Sequence, residues 1–172
     1  MGLGHCNRGE NCGEVDLLTL DTYTKQFVTS QNAINHLSID IEGFDVDALY
    51  SGDETLDRTD YVEFEYNWMG NWAEHKLADV LEYMEKKGFS CYWIGNNELW
   101  RITGGCWLDH YDIHYWSNIG CVHETRARGI FKKMEKKFNE TLSLKPGKLN
   151  YVSQSYSNPL DRSYMYQIRR SN

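Results

Sequence analysis

Leu37-Ser38-Ile39-Asp40-Ile41-Glu42-Gly43 decides the reading of this chain. Leu37, Ile39 and Ile41 alternate with polar residues, so His36 to Ile41 is expected to form a β-strand. Glu42-Gly43 then supplies a turn. From Phe44 to Leu56 the apolar residues Val46, Leu49 and Tyr50 recur at helical spacing. Acidic residues crowd the start of that stretch, where they complement the helix dipole. One strand running straight into one helix is the basic step of an α/β fold.

The same step recurs downstream. Tyr61 to Tyr66 is β-branched and aromatic, and is expected as a strand. Ala73 to Lys87 places Leu77, Val80, Leu81 and Met84 on one helical stripe, with Gly88 at the position of a C-cap glycine. Phe89 to Ile94 reads as a strand, joined through Asn96-Asn97 to a hairpin partner at Leu99 to Thr103. Residues 104–117 read as an ordered aromatic loop and Asn118 to His123 as the last strand. Thr125 to Leu142 reads as a helix with Ile130, Phe131, Met134 and Phe138 on one face. Upstream, Val15 to Leu20 reads as a short strand, with Asp21 placed to cap a helix ending near Phe27. The expected architecture is α/β: parallel strands first, an antiparallel C-terminal edge last, and helices 44–56 and 73–87 on the sheet faces.

The chain has 172 residues, 41% hydrophobic and 14% aromatic, which suits one folded domain with a continuous core. The expected organisation is a flexible lead-in at 1–14, a domain at 15–142 and a polar tail at 143–172, where Tyr151, Tyr156, Tyr164 and Tyr166 are scattered. The net charge is −7, with one basic cluster from Arg126 to Lys137. Nucleic-acid binding needs a concentrated positive footprint, so it is not expected as the main activity. No apolar run is long enough to span a membrane, and the first residues carry no signal-peptide core. Cys6, Cys12, Cys91, Cys106 and Cys121 are an odd set; Cys91, Cys106 and Cys121 sit in strand-like or aromatic-rich segments and are read as buried free thiols, which favours a reducing, cytoplasmic setting.

In open α/β sheets, ligands bind beyond the carboxyl ends of the strands. Asp40 and Glu42 stand at one such end, and Glu63 and Glu65 on the next strand. Carboxylates on adjacent parallel strands face one crevice, where they can act as a general base or bind ligand hydroxyls. Asp45 and Asp47 are read instead as capping the following helix or taking a backbone hydrogen bond. Cys106, His110, Asp112, His114, Cys121 and His123 form a competing metal reading. Their irregular spacing matches no standard zinc signature, and no metal ligand is assigned. The Cys6, Cys12 and His5 group is weaker still. Asn139-Glu140-Thr141 is a glycosylation sequon on an expected helix.

Leu37 to Asp45 resembles the fourth-strand motif of FkbM-type S-adenosylmethionine-dependent methyltransferases. Leu18-Thr19-Leu20-Asp21 resembles that family's entry to the preceding helix. Val62-Glu63-Phe64-Glu65-Tyr66 resembles its fifth strand, and Gly88-Phe89 its entry to the sixth. Leu99 to Trp107, with Trp116-Ser117-Asn118, resembles a eukaryotic branch of the family. The resemblance runs from about Val15 to about Thr141. It implies part of a Rossmann-like methyltransferase sheet, S-adenosylmethionine as cofactor, and O-methylation of a small-molecule or glycan hydroxyl. By resemblance, Asp40 and Ile41 lie on the cofactor side and Asp40, Glu42 and Glu65 are the catalytic candidates. The family's opening strands and glycine-rich cofactor turn have no counterpart before Val15: Gly2, Gly4, Gly9 and Gly13 follow no expected strand. The first strands are therefore expected to be missing and the chain alone to bind the cofactor weakly. The sheet edge so exposed is expected to be covered by a dimer mate or another chain. A non-catalytic interaction module is the alternative reading.

Overall fold

The computed structural model describes residues 16–28, 33–114 and 116–144. The elements run α1 (Leu20–Phe27), β1 (Leu37–Ile39), α2 (Asp45–Tyr50), α3 (Asp53–Leu56), β2 (Tyr61–Tyr66), α4 (Leu77–Lys86), β3 (Phe89–Ile94), β4 (Leu99–Arg101), β5 (Ser117–His123) and α5 (Arg128–Leu142). Short 3-10 turns occupy Gly70–Glu74 and Asp109–Tyr111. The lead-in at 1–14, with its Cys6, Cys12 and His5 group, lies outside the described residues, as do Val15 and the tail beyond Leu144.

The chain is α/β, with one five-stranded mixed sheet in the order β1-β2-β5-β3-β4. β1 and β2 are parallel, with Leu37 opposite Val62 and Ile39 opposite Phe64. β5 runs antiparallel to both of its neighbours, β2 and β3. The expected antiparallel edge exists in β4, the hairpin partner of β3. The last strand, β5, is not at the edge but inserted inside the sheet. An interior strand explains the almost unbroken burial from Ile119 to His123.

Strand alternation separates two faces. One face carries Ile39, Val62, Phe64, Phe89, Cys91, Ile119 and Cys121, packed with Val46, Leu49, Trp72, Leu77, Val80, Leu81 and Met84 from the helices. Helices 44–56 and 73–87 therefore cover the same face. Each fully buried apolar side chain there contributes about 1.5–3 kcal/mol. The other face carries Tyr92 and Val122 under α5, through Ala127, Phe131, Met134 and Phe138. Ile130 was expected on that inner face but is 43% exposed. One residue before Phe131, it is turned a further 100° around the helix.

Several boundaries differ from the expected ones for identifiable reasons. Asp16–Thr19 forms no strand, and Leu17 is 77% exposed. Thr19 is the N-cap of α1, its side chain accepting from the Thr22 amide at 3.1 Å. Asp21 caps a different helix: its carboxylate accepts from the amides of Glu54 and Thr55 and from the Thr55 hydroxyl, at the start of α3. Burial pushes the Asp21 carboxyl up, but these hydrogen bonds outweigh it and hold it below its usual range. The helix expected at 44–56 breaks at Gly52, where a Cβ would lie 2.6 Å from the Leu20 side chain. The helix expected from Ala73 begins at Leu77, with a 3-10 turn before it. Gly88 has φ +83° and ends α4 as expected.

Cys91 and Cys121, expected as free thiols, form a disulfide between β3 and β5. They sit directly opposite one another in the register, both fully buried. Among the described residues no helix is long and apolar enough to cross a membrane.

Candidate functional site

Beyond the carboxyl ends of β1 and β2, two turns are clamped together. The first, Asp40 to Phe44, leads from β1 into α2, and the second, Asn67 to Gly70, leaves β2. Glu42 and Gly43 both have positive φ, +56° and +93°, and Gly70 has +55°. A Cβ on Gly43 would lie 2.5 Å from the Met69 carbonyl oxygen, and one on Gly70 would lie 2.7 Å from that of Gly43. The Asn71 amide donates to the Gly43 carbonyl at 2.9 Å. Glycine is required on both sides because backbone meets backbone here.

Asp45 locks this arrangement from below. Its fully buried carboxylate accepts from the Gly43 amide and from the Glu65 amide, each at 3.2 Å. It thus ties the β1 turn to the end of β2, and burial pushes its carboxyl up. This agrees with its reading as a local backbone partner, although the contact to Glu65 spans two strands. Asp47 takes a hydrogen bond from the Asn71 side chain.

Glu65 is the centre of the site. Asn67 donates to one carboxylate oxygen at 3.0 Å, and the Trp116 indole N–H donates to the other. Burial pushes the Glu65 carboxyl up to about 7; the Asn67 hydrogen bond opposes this, while the charges of Asp40, Asp45 and Glu42 reinforce it. Like charges disfavour a further ionised carboxylate, so these neighbouring acids add to the effect of burial on Glu65. A carboxylate poised near neutrality is suited to accept a proton from a substrate.

Asp40, Ile41 and Glu42 are all exposed along the β1 turn, Ile41 by 47%. Asp40 and Glu42 lie on the turn after β1 and Glu65 near the end of the adjacent parallel strand β2. Sequence reasoning missed Asn67 and Trp116 as the partners of Glu65, and Trp68, whose ring meets that of Trp116 edge-on at 5.2 Å. The parity of β2 was the available signal, since it puts Glu65 and Glu63 on one face. Glu63 is occupied one step lower, by Asn118 at 2.8 Å and the Tyr61 hydroxyl at 3.2 Å.

The competing metal set does not assemble. Cys121 is in the disulfide, the Tyr66 hydroxyl donates to Asp112, and His114 meets the Trp72 carbonyl at 3.2 Å. His123 Nδ1 accepts from the Arg126 amide at 3.2 Å. Among the described residues no group of three or more such side chains is placed to hold a metal ion.

The model of the methyltransferase FkbM domain matches residues 7–91. Over that span, just under half of the chain, the sequence is similar to the FkbM methyltransferase domain. The span holds β1, β2 and every acid of the crevice, and ends inside β3. It begins at residue 7, within the stretch read as a lead-in. The later parts of the resemblance, Leu99 to Trp107 and Trp116 to Asn118, lie beyond it. No curated protein and no solved structure gives a significant match to this chain.

S-adenosylmethionine, which this family generally uses, can be tested against these side chains. Exposed carboxylates at Asp40 and Glu42 are acceptors for ribose hydroxyls, and exposed Ile41 and Phe44 offer apolar surface to a base. The same turn leads into α2 through Asp45 and Asp47, so it is the wrong charge for the cofactor's carboxylate end. The described residues fit the nucleoside side of the cofactor and not its amino-acid side.

Proposed function

We propose that this chain forms the acceptor side and part of the cofactor side of an S-adenosylmethionine-dependent O-methyltransferase with a Rossmann-like sheet. The observation that carries the reading is Glu65, held near neutrality beside the turn that carries Asp40 and Glu42. The FkbM match over the same segment supports it. β1, β2 and β3 would correspond to the family's fourth, fifth and sixth strands. When bound, the cofactor supplies an electrophilic methyl group on a sulfonium sulfur. Asp40 and Glu42 would hold its ribose hydroxyls, with Ile41 against the base. Glu65 would take the proton from the acceptor hydroxyl, with Asn67 and Trp116 fixing the orientation of its carboxylate. The acceptor would be a small molecule or glycan whose hydroxyl reaches Glu65 past the Trp68 and Trp116 rings.

Calorimetric titration with S-adenosylmethionine tests the reading. Weak binding that Asp40→Ala abolishes is the expected result. Tight micromolar binding would overturn the one-sided site, and binding unaffected by Asp40→Ala and Glu42→Ala would overturn the placement of the ribose.

One observation favours a second reading, an interaction module. Among the described residues β1 pairs only with β2, which leaves its outer edge open to another strand. Light scattering distinguishes the two: a stable monomer with a protected β1 counts against edge pairing.

A further inference from the structure

The methyltransferase reading leaves the outer face of α5 unused. From Arg126 to Lys137 six cations face one carboxylate, a local charge of +5, so the rest of the −7 chain carries −12. Arg126 is committed to the fold, donating to the Leu56 and Thr59 carbonyls at 3.0 and 2.6 Å. The others point outward. On a helix of 3.6 residues per turn, Arg128, Lys132, Lys133 and Lys136 share the arc opposite buried Met134 and Thr141. Lys136 has a carboxylate within reach, Glu140 at 3.8 Å and exposed. Among the described residues no ion pair engages Arg128, Lys132 or Lys133. Bordering this face, Ile130 and Leu142 are 43% and 57% exposed.

A solvated helix face usually mixes both signs. This one carries four cations against one carboxylate, Glu140, on a protein of net negative charge. α5 is the outer layer on its side of the sheet, packed on β4 and β5. We propose that this face docks on an anionic lipid bilayer, with the sheet's acidic crevice held away from it. A flat anionic surface can meet the outward arc of α5, and salt screens its contact with charges farther away than about 10 Å at 0.1 M. A nucleic acid is the poorer occupant, because its grooves wrap more of the surface and would bring phosphates against the −12 remainder. Exposed apolar residues beside a basic helical stripe are also what an interfacial helix presents to headgroups.

Co-sedimentation of the full chain with vesicles tests this, comparing pure phosphatidylcholine with a mixture containing about one third phosphatidylserine. Binding to the anionic vesicles alone, weakened at least roughly tenfold by K132E/K133E and reduced by salt, is the expected result. The milder K132Q/K133Q should give a smaller loss, and circular dichroism checks that both variants stay folded. Lys86→Glu, a reversal on α4, should leave binding unchanged. Equal binding to both vesicle types, no binding at low salt, or binding that survives K132E/K133E would overturn the proposal. So would tighter binding to duplex DNA than to the anionic vesicles. None of these outcomes bears on cofactor binding, so the two readings fail independently.

Discussion

Gly43 and Gly70 stand back to back, each at positive φ, so that the turns leaving β1 and β2 touch through their backbones. Neither turn can move without the other, which fixes Asp40 and Glu42 relative to Glu65. Gly43→Ala would drive a methyl group to 2.5 Å from the Met69 carbonyl oxygen. Both strain and overpacking contribute, and a loss of roughly 2–4 kcal/mol is expected. Gly105 also has positive φ, +78°, but a Cβ there meets nothing within 4 Å. Gly105→Ala should therefore cost only about 1–2 kcal/mol. Urea denaturation of both variants checks this, and equal losses would refute the close-approach argument.

Glu65 should titrate near 7 because burial and the neighbouring charges of Asp40, Asp45 and Glu42 disfavour its ionised form. Asp40→Asn removes one of those charges and should lower the Glu65 midpoint towards its ordinary 4.5. Carboxyl carbon NMR titration reads this directly; an unmoved midpoint would break the electrostatic link between the two strands. The linked stability has a definite sign. The folded value lies above the unfolded one, so the folded state holds more protons in between. This contribution is fully present below about 4.5 and is lost as pH rises to about 7.

The legible parts of this fold were those with strong periodicity. β2 and β3 begin and end where alternation and flanking turns place them, and α4 ends at Gly88 as its glycine requires. The placement of Asp40 and Glu42 after β1 and of Glu65 on β2 was legible because the two segments read as successive strands, and these pair in parallel. Less legible were features set by tertiary partners. Leu17 and Leu18 have the hydrophobicity of a strand, but Thr19 caps a helix start immediately after them. Asp21 has the look of its own helix's cap, yet its partners are 33 and 34 residues away. Trp116 becomes a partner of Glu65 only through the placement of β5 beside β2, which no local pattern encodes, whereas Asn67 lies two residues from Glu65 on the same strand parity.

The Cys91–Cys121 disulfide closes a loop of 30 residues across two central strands. Chain-entropy arguments give such a crosslink roughly 3–4 kcal/mol of stability. Intact mass measured without reductant should be lower by two hydrogens than after reduction. Reduction should then lower the urea midpoint by a corresponding amount. An unchanged mass would mean that both residues are thiols and that the strands pair without the bond.

His123 should make the protein acid-sensitive. Burial disfavours its charged form, the neighbouring Arg126 adds to this, and its pKa lies below the ordinary 6.5. Neutral Nδ1 accepts from the Arg126 amide, and the ring lies edge-on to Phe89 at 5.2 Å. A proton on Nδ1 would place two donors face to face. Because the folded value is depressed, the unfolded state binds the proton first as pH falls. Stability from this group is present above about 6.5 and declines below it. Over part of that range Glu65 acts with the opposite sign, gaining stability as pH falls. The two can be separated by variants. Glu65→Gln should steepen the fall in melting temperature between neutral and mildly acidic pH. His123→Gln, which cannot titrate, should flatten or reverse it. A pH profile that is the same in both variants would mean that neither group controls stability in this range.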